Sequence, residues 1–135
     1  MRYEPYDTEY AAVPTLTDGE RLDYYLLRAF ETEESWSLRA GKAWFVHELD
    51  GQRVQPLWPY RRYARESALD VWEDCRPDSV ALEYLLDTIL PELAANDVML
   101  DIMPRGAEAG CLITPHRLMS IFEGMLDAGE YRLEG

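Results

Sequence analysis

The side chains best equipped for chemistry gather in one run, Leu57-Trp58-Pro59-Tyr60-Arg61-Arg62-Tyr63-Ala64-Arg65. A guanidinium holds a carboxylate or phosphate through two parallel N–H donors, and Trp, Tyr and Arg are the types enriched at interaction hot spots. On a helix starting at Pro59, Arg61 and Arg65 fall four apart on one face, with Arg62 about one hundred degrees round and Trp58, Tyr60 and Tyr63 alongside. The candidate binding residues are therefore Trp58, Tyr60, Arg61, Arg62 and Arg65. A competing reading makes Trp58 and Tyr63 core anchors and pairs the arginines with acids such as Glu66 or those of the N-terminal arm. The start of the helix favours an anion in either case.

Other constellations are weaker. His47 falls within a strand and His116 in the first turn of the last helix, without a His-x-His, a His-Glu-x-x-His or clustered thiols, so no metal site is expected. Asp70, Glu73 and Asp74 could do acid-base work, but an acidic chain produces such groupings by chance. The serines lack a nucleophile elbow, and the loop from Gly106 to Gly110 lacks the Lys or Ser/Thr of a phosphate-binding motif. No catalytic residue and no cofactor is indicated, and the chain reads as a binder rather than an enzyme.

Charge adds a second clue. The formal net charge is −13 over 135 residues, unevenly placed. Residues 1–34 carry nine acids and three bases, residues 35–69 three and six, and residues 70–135 fourteen and four. The middle third is a positive island in an acidic protein. Such a surface repels phosphate backbones, which argues against nucleic acid, and suits a basic protein partner. Cys75 and Cys111 have neither a Cys-x-x-Cys spacing nor a secretory leader before them, and no run is long enough to span a bilayer. They are expected to be reduced, in a cytoplasmic protein with no membrane role.

The elements that must position the corner follow from periodicity. Residues 1–16 mix acids, tyrosines and Pro5 and Pro14 without helical or strand period, and read as an arm lying across the domain or moving free of it. Residues 17–135 read as one domain, a size that hides about two thirds of the unfolded surface. Thr17-Asp18-Gly19-Glu20 has capping-box spacing, and Leu22, Tyr25, Leu26, Ala29 and Phe30 form one helical stripe, ending near Glu31 to Glu34. A three-strand meander is predicted from Ser37 to Trp58, with turns at Ala40-Gly41-Lys42 and Asp50-Gly51. Pro56 places its strand at an edge or at its end. A helix follows to Leu69, then a less regular connection through Trp72, Cys75 and Pro77. A second helix runs from Leu82 to Leu93, and Pro91 must kink or end it. Val98–Met103 and Cys111–Thr114 form a hairpin, and Pro115 opens a last helix ending near Gly129. The class is α+β, with about five short strands in one antiparallel or mixed sheet and about four helices packed mainly on one face.

Several pieces resemble an uncharacterised bacterial family, domain of unknown function 2750, over roughly residues 20–128. They are Arg21-Leu22-Asp23-Tyr24-Tyr25-Leu26, Glu34-Ser35-Trp36-Ser37-Leu38, Leu57-Trp58-Pro59 with Tyr63-Ala64, Leu90-Pro91-Glu92-Leu93, and Gly110-Cys111-Leu112-Ile113-Thr114-Pro115. The family pattern tends to place a His and a Pro after the Trp-Pro, where this chain has Tyr60 and Arg61. A site built on that imidazole would be absent or altered here. The resemblance implies a compact α+β domain in a cytoplasmic bacterial setting and no particular activity.

Three functions are then expected in turn. The first is a small acidic interaction protein, inhibitor-like or immunity-like toward a basic partner. The second is an anion- or small-molecule-binding domain, with or without enzymatic activity, that uses the Arg61/Arg62/Arg65 corner. The third is a structural or oligomerising domain.

Overall fold

The computed structural model describes residues 7–12, 15–68, 74–105 and 109–128. Helix α1 is Asp7–Ala12 and α2 is Asp18–Thr32. Strands β1 (Glu34–Ala40), β2 (Ala43–Trp44), β3 (His47–Leu49) and β4 (Gln52–Leu57) lead into α3 (Arg61–Ala68). Then come β5 (Arg76–Ala81), α4 (Leu82–Tyr84), a π-helical turn at Leu85–Ile89 and α5 (Leu90–Ala95). Strands β6 (Met99–Ile102) and β7 (Cys111–Ile113) precede α6 (Pro115–Ala128). The fold is α+β.

The first long helix forms where its capping box places it. The Thr17 N–H donates to Glu20 Oε1 at 2.9 Å and the Glu20 N–H to Thr17 Oγ1 at 3.2 Å. The Thr17 N–H, and after it the Thr17 hydroxyl, favour the charged carboxylate and lower the Glu20 pKa. Tyr25, Leu26, Ala29 and Phe30 are buried, while Glu33 takes the left-handed conformation at φ 60° and stops the helix.

The strands divide between two sheets, in the orders β2-β1-β5 and β3-β4-β6-β7, where the sequence pattern suggested one. The predicted second strand, Ala43 to Leu49, is broken at Phe45 and Val46, so that Ala43–Trp44 stays with β1 and His47–Leu49 joins β4. Alternation of apolar and polar residues survives such a bend, and sequence alone therefore reads one strand across it. The sheets remain joined by a two-residue bridge: Trp36 and Trp58 exchange backbone N–H···O=C bonds of 2.8 Å each way. At the Asp50-Gly51 turn both residues have positive φ, 51° and 82°, as a tight hairpin requires.

Two prolines explain other departures. Strand β5 lies in the stretch read as an irregular connection, because Pro77 looks like a breaker. It pairs only with β1, at the sheet edge, where a missing donor is tolerated. Pro56 also sits beyond the reach of β3, which covers β4 only from Gln52 to Val54, and its carbonyl accepts from Ser37 Oγ at 2.6 Å. In the helix after β5, the wide turn Leu85–Ile89 immediately precedes Pro91. The Leu90 N–H donates to the Leu85 carbonyl, and this five-residue spacing loosens the ladder at the point where the proline ring would strike it. The helix therefore continues past Pro91.

Strands β4 and β6 are parallel, with Leu57 opposite Ile102, and the chain between them carries α3, β5, α4 and α5. Leu57, Leu100, Ile102, Leu85, Leu90 and Phe122 are fully buried between sheet and helices. The carboxyl ends of β4 and β6 thus lie side by side. One delivers the corner Trp58-Pro59-Tyr60, and the other delivers Met103-Pro104-Arg105.

Candidate functional site

The corner separates into a buried half and an exposed half. Trp58 and Tyr60 are each 1% exposed, and Trp58 Nε1 donates to the Pro104 carbonyl at 2.9 Å, tying the end of β4 to the loop after β6. Pro59 and Tyr60 form a bend, so the helix begins at Arg61 rather than at Pro59. Tyr63 and Ala64 face the core, while Arg61 and Arg65 are exposed one turn apart. Arg62 is half-buried and engaged: its guanidinium lies 3.7 Å from the centre of the Tyr10 ring, 3.9 Å from Asp7 and 4.0 Å from Glu66. The three arginines therefore do not converge. Glu66 has its pKa raised by burial, with Arg105 opposing that shift.

What covers this face is the arm, and residues 7–12 are helical although their sequence shows no helical period. Asp7 and Glu9 stand in the first turn, where the helix dipole favours negative charge. Glu9 accepts from Arg28 Nε on α2 at 2.5 Å, and Arg28 also reaches Glu31 at 3.4 Å. Tyr10 stacks on Tyr63 with ring centres 5.4 Å apart and planes 18° apart. Beneath it Tyr24 of α2 and Tyr63 of α3 share a hydroxyl–hydroxyl bond of 2.8 Å, their rings edge to face. Burial, then this bond, then the charge of Glu9 raise the Tyr24 pKa. Burial pushes Tyr63 up to about 12, so both remain neutral phenols at ordinary pH. Burial works against the Arg28 charge, but the hydrogen bond and the charge of Glu9, with Glu31, raise its pKa on balance. The arrangement recognises a carboxylate and an aromatic ring on adjacent residues.

A second constellation lies across the β4/β6 ends. Asp101, 1% exposed, accepts from the Gly110 N–H at 2.7 Å. Burial pushes its carboxyl up to about 6, against the lowering effects of the Gly110 bond and Arg21. Arg21, outside the apolar stripe of α2, is nonetheless buried and donates to the carbonyls of Leu16 and Met103 at 3.3 and 3.2 Å. Met103 carries a positive φ of 62°, which re-aims the chain into the loop. Neither Asp101 nor Arg21 is among the candidate site residues that the sequence pattern singles out. Asp101 looked like the polar side of an alternating strand, although an acid inside an apolar run was a usable signal. Cys111, adjacent to this site, and Cys75 are free thiols, half-buried and raised in pKa by burial.

The remaining candidates are structural in placement. His47 stacks on Phe45 at 5.5 Å, and burial lowers its pKa. His116 is exposed. Among the described residues no three His, Cys, Asp or Glu side chains gather as a metal site would need. Asp70, Glu73, Trp72, Leu69, Gly106, Gly129 and the first six residues lie outside the described residues, as do Val13 and Pro14.

No curated protein matches the chain. A family model described as a protein of unknown function, DUF2750, matches residues 22–121 of the 135. That span contains most of the motifs that carried the resemblance: the α2 stripe, the Trp36 and Trp58 strands that bridge the sheets, the Pro91 helix and the Gly110 turn. It also leaves out the arm. The chain belongs to the DUF2750 family.

Proposed function

We propose that this is a small cytoplasmic interaction protein whose acidic face meets a basic protein partner, in the manner of an inhibitor or immunity protein covering a basic site. One observation carries the reading: six of the eleven described cations are bonded within the fold, whereas the exposed acids of the α4–α6 region are not paired among the described residues. Arg21, Arg28, Arg39, Arg53, Arg62 and Arg76 all bond to carbonyls or carboxylates of the chain itself. By contrast Glu83, Asp87, Glu92, Asp97, Glu123 and Asp127, exposed on or beside α4, α5 and α6, make no ion pair with the described residues. Among these acids stand two large exposed apolar side chains, Tyr84 at 53% and Leu126 at 54%. An apolar anchor within a field of one sign suits a partner of the opposite sign. The same field disfavours phosphate backbones, and no helix among the described residues is long and apolar enough to cross a membrane.

The anion-binding alternative at the corner loses one of its three cations, because Arg62 is taken up by Tyr10, Asp7 and Glu66. A test uses affinity capture from the source cell with wild type, a Glu83→Lys/Asp87→Lys/Glu92→Lys variant and an Arg61→Ala/Arg62→Ala/Arg65→Ala variant. The expected result is a basic partner retained by the wild type and the arginine variant and lost by the charge reversal. Loss in the arginine variant alone would move the function to the corner, and a stable homodimer with no partner would favour an oligomerising role.

A further inference from the structure

We infer that the α2–α3 surface beneath the arm is a recognition site for an acidic segment in which a carboxylate is followed by an aromatic ring, and that residues 7–12 occupy it in cis. This is independent of the acidic-face reading and uses the opposite side of the charge balance.

The receptor side is built from the core outward. Tyr63 is 7% exposed, packed near Tyr60 at 6.3 Å and bonded to Tyr24, so the ring that receives Tyr10 is held by two helices rather than by the arm. Arg28 and Arg62, one on each helix, supply the two cations. The occupant side is a pair of neighbours: the Glu9 carboxylate on Arg28, its side chain only 12% exposed, and the Tyr10 ring against Tyr63 and the Arg62 guanidinium.

Nothing in this seat depends on chain continuity. Helix α1 has six residues, none of them fully buried, and so short a helix has no stability of its own in water. It is held by the Glu9–Arg28 ion pair, the looser Asp7–Arg62 pair, a ring stack and a cation–π contact, all side-chain interactions that a separate peptide of the same chemistry can make. The α3 half of the seat, with Arg62, belongs to the positive island, while Tyr24 and Arg28 of α2 come from the acidic first third of the chain, as the arm does. A tethered occupant has an effective concentration on the order of millimolar, so the arm masks the site until a better acidic-aromatic segment displaces it.

The test uses a fluorescently labelled synthetic peptide of residues 5–14 and full-length proteins. Glu9→Ala/Tyr10→Ala removes the cis occupant and should bind the peptide about tenfold or more tighter than the wild type. Adding Arg28→Glu to that variant should abolish binding, and a peptide carrying Arg in place of Glu9 should restore it. Equal binding by wild type and double variant, no binding by the double variant, or indifference to Arg28→Glu would overturn the inference. Should the double variant fail to fold by circular dichroism, NMR titration of the wild type decides: excess peptide should shift the Tyr24 and Tyr63 ring signals, and unmoved signals at millimolar peptide would overturn it.

Discussion

The Asp101 carboxyl is closed off from water with one backbone donor on it, and this has a pH consequence. Its pKa of about 6 in the folded protein compares with an ordinary value of 3.8. Burial is the largest cause; the Gly110 N–H and Arg21 favour the charged form, and Asp18 opposes it. The folded chain therefore binds this proton more tightly than the unfolded chain does. The stability that results is fully present below about pH 4 and lost as pH rises through about 6, an effect on the order of 2–3 kcal/mol. Asp101→Asn should abolish that component: in urea unfolding across pH, the variant should gain on the wild type by roughly this amount between pH 4 and 7. A difference that stays flat would contradict the assignment. Gly110 is constrained from the other side of the same bond, because a β-carbon there would run into the Ile102 carbonyl and the Met103 backbone. Gly110→Ala should cost about 3 kcal/mol in chemical denaturation, since backbone rather than a flexible side chain must move. A loss below half of that would mean the loop shifts freely.

At the scale of elements, local chemistry was legible wherever it was self-contained. The Thr17/Glu20 box, the Asp50-Gly51 turn, the α2 stripe and Pro115 at the start of α6 all stand where their residues place them. What escaped the sequence was decided by partners distant in the chain. Whether Pro77 breaks a strand depends on β1 having a free edge for it, and whether Ala43–Leu49 is one strand or two depends on where the second sheet lies. For the candidate site, Trp58, Tyr60 and Arg62 were visible as types, but their division was not: burial made the first two architectural, and the arm took the third. Glu9, Tyr10, Tyr24 and Arg28 were invisible as a group because they meet only after α1 folds against α2 and α3. That docking is a measurable element–element energy. A double-mutant cycle of Glu9→Ala and Arg28→Ala should give a coupling of about 0.5–1 kcal/mol, the range of a partly exposed ion pair. A coupling of zero would mean the arm makes no net contact there.

Across the whole molecule, the distribution of paired and unpaired charge is the feature on which the proposed function rests. Most of the described arginines act as internal ties, holding the arm to α2, β1 to β5 and the Met103 carbonyl to α2. Acids on α4, α5 and α6 have no such counterpart among the described residues, and the net charge of −13 is concentrated in the last half of the chain. Electrostatic steering by such a face acts on the encounter rate and is screened by salt, whereas packing at Tyr84 and Leu126 acts on dissociation and is not. The most direct measurement is the association rate of the captured partner by stopped flow as ionic strength is raised. A steep fall in the on-rate with little change in the off-rate is expected, with the wild-type rate at high salt approaching that of the Glu83→Lys/Asp87→Lys/Glu92→Lys variant. An on-rate that hardly moves between low and high salt would contradict steering by this face.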